Sequence, residues 1–254
     1  MFHKTLREGR VSHHDIGQFT LHAAMEERHW WFVGRREILL EILRRYVPSL
    51  EGNHLLEIGC GTGGNLRFFQ DYYQVTGVDI APDAVRHARE RVDCPILEGE
   101  FRELFPEEFR GVDLVLLADV LEHVKDDRGF LEDILARLRP GGVVVVTVPA
   151  HAFLWSNHDL ILGHHRRYSR KQLMSVRQGL PVRMEYCTYF NTLLFPLIAL
   201  DRWLPQGSGG GSDLTLPAAP LNSLLLTLFR LEKQLLKICP FPWGVSLMMV
   251  LKKR

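Results

Sequence analysis

Two groups of residues in this chain have types and spacing suited to chemistry. In the first, Leu55-Leu56-Glu57-Ile58-Gly59-Cys60-Gly61-Thr62-Gly63-Gly64-Asn65, a short apolar run enters a turn with four glycines in six positions. Without Cβ atoms the backbone there can adopt positive φ, and a ligand can approach the amides at the start of the next helix. Asp79 follows Gly59 by twenty residues, where a carboxylate at the end of the next strand meets ribose hydroxyls. Gly59-x-Gly61-x-x-Gly64 alone leaves open a dinucleotide, an adenosyl ligand, or a tight turn with no ligand. Glu57 weighs against the dinucleotide, because a carboxylate beside the turn repels a pyrophosphate but can order the loop or receive an ammonium group.

The second group is Asp119-x-x-Glu122-His123, with His151, His158, His164 and His165 following. Imidazole and carboxylate together can take a proton from an acceptor or hold a divalent cation; ordering a loop is the plainer role. His123 and Asp119 are the catalytic candidates. Arg166, Arg167, Arg170 and Lys171 form a basic stripe around Tyr168, read either as contact with an anionic acceptor or as a helix start capped by Ser169. Phe153 and Trp155 would wall an acceptor pocket or pack in the core, with His158 and Asp159 as polar neighbours. Upstream, His29-Trp30-Trp31-Phe32 precedes Arg35-Arg36. Successive tryptophans on a helix point to different faces, so at most one is pure core and the other covers a ligand or a neighbour.

These residues need elements to position them. From His54 onward, short apolar runs at 54–58, 74–80, 94–99, 112–119 and 142–149 alternate with helical patterns at 64–72, 82–92 and 129–138. That alternation predicts a parallel sheet with crossover helices over 54–150. Arg139-Pro140-Gly141-Gly142 ends the third helix. Further strands are expected over 181–190 and 245–251, helices over 18–46 and 221–238, and a flexible connector at 206–213. The chain has 254 residues, 46% hydrophobic and 24% charged, which excludes a disordered or low-complexity polymer. Lys plus Arg number 31 against 30 acids, so no basic field favours nucleic acid. Four scattered cysteines suggest reduced thiols, and the first ten residues lack an apolar export signal. The expectation is a cytoplasmic protein, with contact at the inner membrane face left open.

L-L-E-I-G-C-G-T-G, V-T-G-V-D-I, D-L-V-L-L-A-D-V-L-E-H-V and L-R-P-G-G-V-V-V-V-T-V-P, in that order, resemble the class I S-adenosylmethionine-dependent methyltransferases, and most resemble the ubiquinone-pathway O-methyltransferases. The resemblance implies an α/β fold: a doubly wound, Rossmann-like seven-stranded sheet with an antiparallel last strand. Its parts would be an N-terminal helical lid (1–53), a cofactor-binding core (54–190), a hydrophobic helical insertion (191–240) and the last strand (241–254).

It also implies S-adenosyl-L-methionine as cofactor, with Gly59, Cys60 and Gly61 under the methionine and Glu57 near its ammonium. Asp79 would bind the ribose and Ile80 would pack on adenine. Glu100 and Phe101 stand where the family usually has Gly-Asp-Ala, and Ala118 would border the sulfonium. One of Arg35 and Arg36, assigned as Arg36, would reach the cofactor carboxylate. The acceptor contacts expected are Trp31, Trp155, His158, His164, Arg167 and Tyr168. Ubiquinone-pathway and small-RNA relatives imply a divalent metal on such acids and histidines, but no metal ligand is assigned. The acceptor is expected to be a small or lipid-linked molecule, sheltered by the Leu- and Phe-rich stretches at 189–204 and 221–249, and the chain a monomer or homodimer. A nicotinamide-dependent oxidoreductase and a non-catalytic cofactor-binding module remain the alternatives.

Overall fold

The computed structural model describes residues 13–47, 53–104, 111–203 and 216–254. The expected connector at 206–213 and the first ten residues lie outside them. Seven strands form one sheet: β1 (His54–Ile58), β2 (Gln74–Asp79), β3 (Ile96–Glu98), β4 (Val112–Ala118), β5 (Val143–Pro149), β6 (Val182–Phe190) and β7 (Ser246–Lys253), in the spatial order β3-β2-β1-β4-β5-β7-β6. The first five pair in parallel, while β7 runs antiparallel between β5 and β6. The order reverses beside β1, between β2 and β4, which opens a crevice at their carboxyl ends.

The strands read as unbroken apolar runs because helices cover both faces. Alternate residues point to opposite sides: Leu55, Leu114, Leu116, Val143 and Val145 to one core layer, Leu56, Val115, Leu117, Val144 and Val146 to the other. The first layer is closed by α2 (Trp30–Tyr46), α3 (Gly64–Phe69), α4 (Pro82–Arg91) and α9 (Ala219–Leu236); the second by α5 (Asp127–Arg137) and α7 (Arg170–Val176). The short α6 (Asn157–Leu162) follows β5, and α8 (Phe195–Trp203) follows β6. Among the described residues no helix is long and apolar enough to cross a membrane.

The helix expected over 18–46 is two helices, α1 (His13–Arg28) and α2, with extended backbone at His29 between them. Asn222 of α9 holds the break open: its Oδ1 accepts from the Trp30 amide at 3.0 Å and its Nδ2 donates to the Arg28 carbonyl at 2.9 Å. The His29 ring also accepts from the Trp31 amide. A helix end has free amides to satisfy, and here a residue nearly two hundred positions away supplies the partner. The insertion therefore acts on the N-terminal helices rather than standing apart from them.

The same helix pair carries the tightest contact in the layer. Gly34 lies against the buried Phe229 ring, and a Cβ at position 34 would stand 2.2 Å from its Cδ1. Gly34→Ala is expected to lower stability by ~1–3 kcal/mol through overpacking, despite alanine's better helix propensity. Chemical denaturation checks this; a neutral or stabilising result would mean α9 moves freely on α2.

Candidate functional site

The turn after β1 is built as its glycines suggest. Gly59, Gly61 and Gly63 all have positive φ, and a side chain at Gly61 would meet nothing within 4 Å, so the space beside that Cα is open. The Gly59 and Cys60 amides both donate to the Val78 carbonyl, at 2.7 and 3.0 Å, which ties the turn to β2. The Asp79 carboxylate completes the tie, accepting from the Gly61 amide at 2.7 Å and from the Ala81 amide at 2.9 Å. Each oxygen keeps a second lone pair free for a ligand hydroxyl. Burial raises the Asp79 pKa, against the backbone hydrogen bonds that lower it. Ile80 beside it is 40% exposed, an apolar side chain at the crevice mouth.

Three more carboxylates gather at the neighbouring strand ends. Glu57 is 1% exposed; its Oε1 accepts from Asn65 at 2.6 Å and its Oε2 has no hydrogen-bond partner. Burial pushes its pKa up to about 8. Asp119, past the end of β4, is held at positive φ by Thr147, whose hydroxyl accepts from its amide and donates to its Oδ1. Glu122 lies in the turn Leu121–His123, fully buried, with neither carboxylate oxygen hydrogen-bonded. Burial, and then the nearby Asp119 charge, hold its pKa well above the usual range. Arg35 reaches into this group from α2: it is buried, ion-paired to Asp119, and its charge also bears on Glu57 and Glu122.

Beside Glu122 lies an ordered histidine pair. One ligand atom each from Glu122, His123 and His164 falls within 4.8 Å of the others, and the two rings meet edge to face at 4.7 Å. His164 Nδ1 is bonded to Asp159 at 2.8 Å, and Arg167 clamps that carboxylate with two hydrogen bonds, at 2.8 and 2.9 Å. Burial alone would raise the Asp159 pKa; the bonds from His164 and Arg167 outweigh it and keep the group ionised. A buried carboxylate with unpartnered oxygens beside two imidazoles is a donor set that suits a divalent cation, and Asp159 behind His164 supplies the orienting partner that metal-binding histidines have.

Other expected site residues fall in different surroundings. The buried Arg36 guanidinium lies 5.9 Å from the Phe68 ring centre and is bonded to the Glu26 carbonyl; Arg35 is the one ion-paired to Asp119 past the end of β4. The Cys60 side chain turns inward against Gly77, while Ala118 ends β4 half-buried. Glu100 is exposed, but Phe101 is buried in the core against Phe130 and Arg137. Tyr168 is also in the core, its hydroxyl donating to Asp127 at 2.8 Å. Arg167 is spent on Asp159. Trp155 is 36% exposed and His158 half-buried, in the segment that follows β5.

Trp31 stacks on Phe190 and Phe229 at 5.8 and 5.5 Å, and Trp30 also meets Phe229. Sequence reasoning missed Glu26 of α1, which accepts from the Thr62 hydroxyl and from Arg91 and lies over Gly64. No local signal marks it, because it meets the turn only when α1 folds back.

A family model described as a methyltransferase domain matches residues 31–195. A protein of Mycolicibacterium smegmatis named as a probable S-adenosylmethionine-dependent methyltransferase is 33% identical over 135 residues, 52% of this chain and 50% of its own length. A ubiquinone biosynthesis O-methyltransferase of Paramagnetospirillum magneticum is 30% identical over 172 residues, covering 58% of this chain and 68% of that one. Apart from such longer matches, the chain spans about half the length of the curated relatives it matches. Among solved structures, the plantazolicin methyltransferase BpumL, in complex with a monoazolic desmethylPZN analogue and SAH, superposes with a TM-score of 0.60 over 92% of this chain and 89% of that one, at 14% identity.

The Glu57 environment yields a sign. With its pKa raised from 4.5 to about 8, the unliganded fold holds a proton that the unfolded chain has released, so stability falls as pH rises through that window. Glu57→Gln is expected to remove this residue's share of the slope. The variant gains on wild type from about pH 5 to about pH 8 in denaturant titrations without ligand. Parallel curves would mean Glu57 is ionised in the free protein.

Proposed function

The chain belongs to the methyltransferase-domain family, and from that premise we propose that it is an S-adenosylmethionine-dependent methyltransferase acting on an oxygen of a small or lipid-linked acceptor. The observation that carries this reading is the acidic, glycine-lined crevice formed by Glu57, Asp79, Asp119 and Glu122 around the ends of β1, β2 and β4. A cationic sulfonium and ammonium complement that charge, whereas a dinucleotide's pyrophosphate opposes it. When bound, the cofactor supplies a methyl group already activated by the positive sulfur.

The chain's own residues then bind and orient. Asp79 holds the ribose hydroxyls with its free lone pairs, and Ile80 covers one face of the adenine. The Gly61 turn admits the methionine portion, and the unpartnered Glu57 oxygen accepts its ammonium. Arg35, already at the strand ends, takes the place first assigned to Arg36 at the cofactor carboxylate, and Asp119 keeps it in position. His123, in the turn after β4, would take the acceptor hydroxyl's proton as the methyl leaves sulfur for that oxygen. Alignment of the three reacting centres is the main contribution asked of the protein. Exposed Phe153 and Trp155 offer apolar surface on the acceptor side.

A second reading attaches to Glu122, His123 and His164, whose donor set suits a divalent metal. If one binds there, it would lower the pKa of an acceptor hydroxyl, and His123 would serve as a ligand instead of a base. Calorimetry with Mg²⁺, Mn²⁺ and Zn²⁺ on wild type and Glu122→Gln distinguishes the two, because the first reading expects no binding that Glu122→Gln abolishes.

Titration with S-adenosylhomocysteine and with NAD tests the main reading. Wild type is expected to bind the former and not the latter, and Asp79→Ala to weaken that binding by ~2–3 kcal/mol through loss of charge-assisted ribose bonds. Unchanged affinity refutes the ribose role, and NAD binding refutes the function. His123→Ala is expected to slow methyl transfer without changing cofactor affinity.

A further inference from the structure

Besides the face that grips α2, helix α9 carries a second apolar face covered by nothing in the described structure. Leu221, Leu224, Leu228, Leu231, Leu235 and Ile238 follow one another at intervals of 3, 4, 3, 4 and 3 residues, the spacing that keeps side chains on a single seam. Leu221, Leu224 and Leu231 are 50–56% exposed and Ile238, just past the end of the helix, is 80% exposed, whereas Phe229, Glu232 and Leu236 on the adjoining face are each 1% exposed. This helix has one apolar face more than the described residues cover.

The geometry points to a second copy of this chain as the occupant, pairing α9 with α9 about a twofold axis. A twofold contact places a surface against itself, so any uncompensated charge on it would meet its like. Among the described charged residues at 219–237 none does: Arg230 and Lys233 are paired with Glu37, Lys237 with Glu41, and Glu232 accepts from the Thr192 and Leu193 amides. Thr227 and Gln234, which flank the stripe, are neutral. The same neutrality argues against a bilayer, since every cation of α9 is already engaged by α2 and none remains for anionic headgroups. Two such stripes in contact would bury on the order of 1,000 Å² in total, the lower bound for a specific interface, so the dimer is expected to be reversible.

Sedimentation velocity of the 254-residue chain over a wide concentration series tests this. Wild type is expected to show a monomer–dimer equilibrium, and Leu224→Glu and Leu231→Glu each to weaken it by about tenfold or more, because a twofold axis makes every substitution count twice. Both side chains point outward, so thermal unfolding and circular dichroism of the variants should match wild type. Leu197→Glu, on the 64%-exposed side chain of α8, should leave the dimer intact. A wild type that stays monomeric throughout, a dimer insensitive to the α9 substitutions, or one equally disrupted by Leu197→Glu overturns the proposal. So does a monomer that floats with phosphatidylcholine–phosphatidylglycerol vesicles, which would make the stripe a lipid-binding face.

Discussion

Glu57, Asp79, Asp119 and Glu122 are brought to one end of a parallel sheet, with the buried guanidinium of Arg35 paired to one of them, Asp119. Charges of one sign in a poorly hydrated crevice are costly, and the fold relieves the cost in two ways. Burial raises the pKa of Glu57 and Glu122 and so favours their neutral forms; Asp79 and Asp119 instead take backbone amides or the arginine. The crevice remains under-supplied with positive charge, and a cationic ligand completes it better than any rearrangement of the chain.

Arg35 depends in turn on how α2 is seated. The helix begins at a break in the backbone at His29, pinned by Asn222, and Gly34 allows it to close on Phe229. Glu37 and Glu41 fasten its outer edge to Arg230, Lys233 and Lys237. The helix that looks in the sequence like a detachable insertion is therefore the backing for the helix whose Arg35 pairs with Asp119. Glu26 makes a corresponding link from α1 to Thr62 and Gly64, so both N-terminal helices register on the glycine turn.

What could be read from the sequence follows from range. The strands at 54–58, 112–118 and 143–149 and the turn between β1 and α3 declare themselves because each is a local pattern: an apolar run, a breaker, a positive-φ glycine. Asp79 is legible for the same reason, since a strand end at a set distance from the turn places it. Arg35 and Arg36 are adjacent on one helix and both are buried, and only the tertiary packing gives Asp119 to the first and the Glu26 carbonyl to the second. Phe101 and Tyr168 stand beside motif residues in the chain but are drawn into the core by Phe130 and Asp127, contacts that neighbouring sequence does not encode.

His164 shows the same limit from the opposite direction. Four later histidines offered themselves as companions to Glu122 and His123, and spacing alone does not choose among them. The choice is made by Asp159, buried under Arg167 in the capped turn of α6, which grips His164 Nδ1 and leaves the other ring nitrogen to face the 121–123 turn. Holding a buried aspartate ionised requires both a guanidinium and an imidazole, and the basic stripe at 166–171 supplies the first of these. The conspicuous arginine in that stripe thus acts one step removed from the crevice: by keeping Asp159 charged, it fixes the histidine that stands beside Glu122.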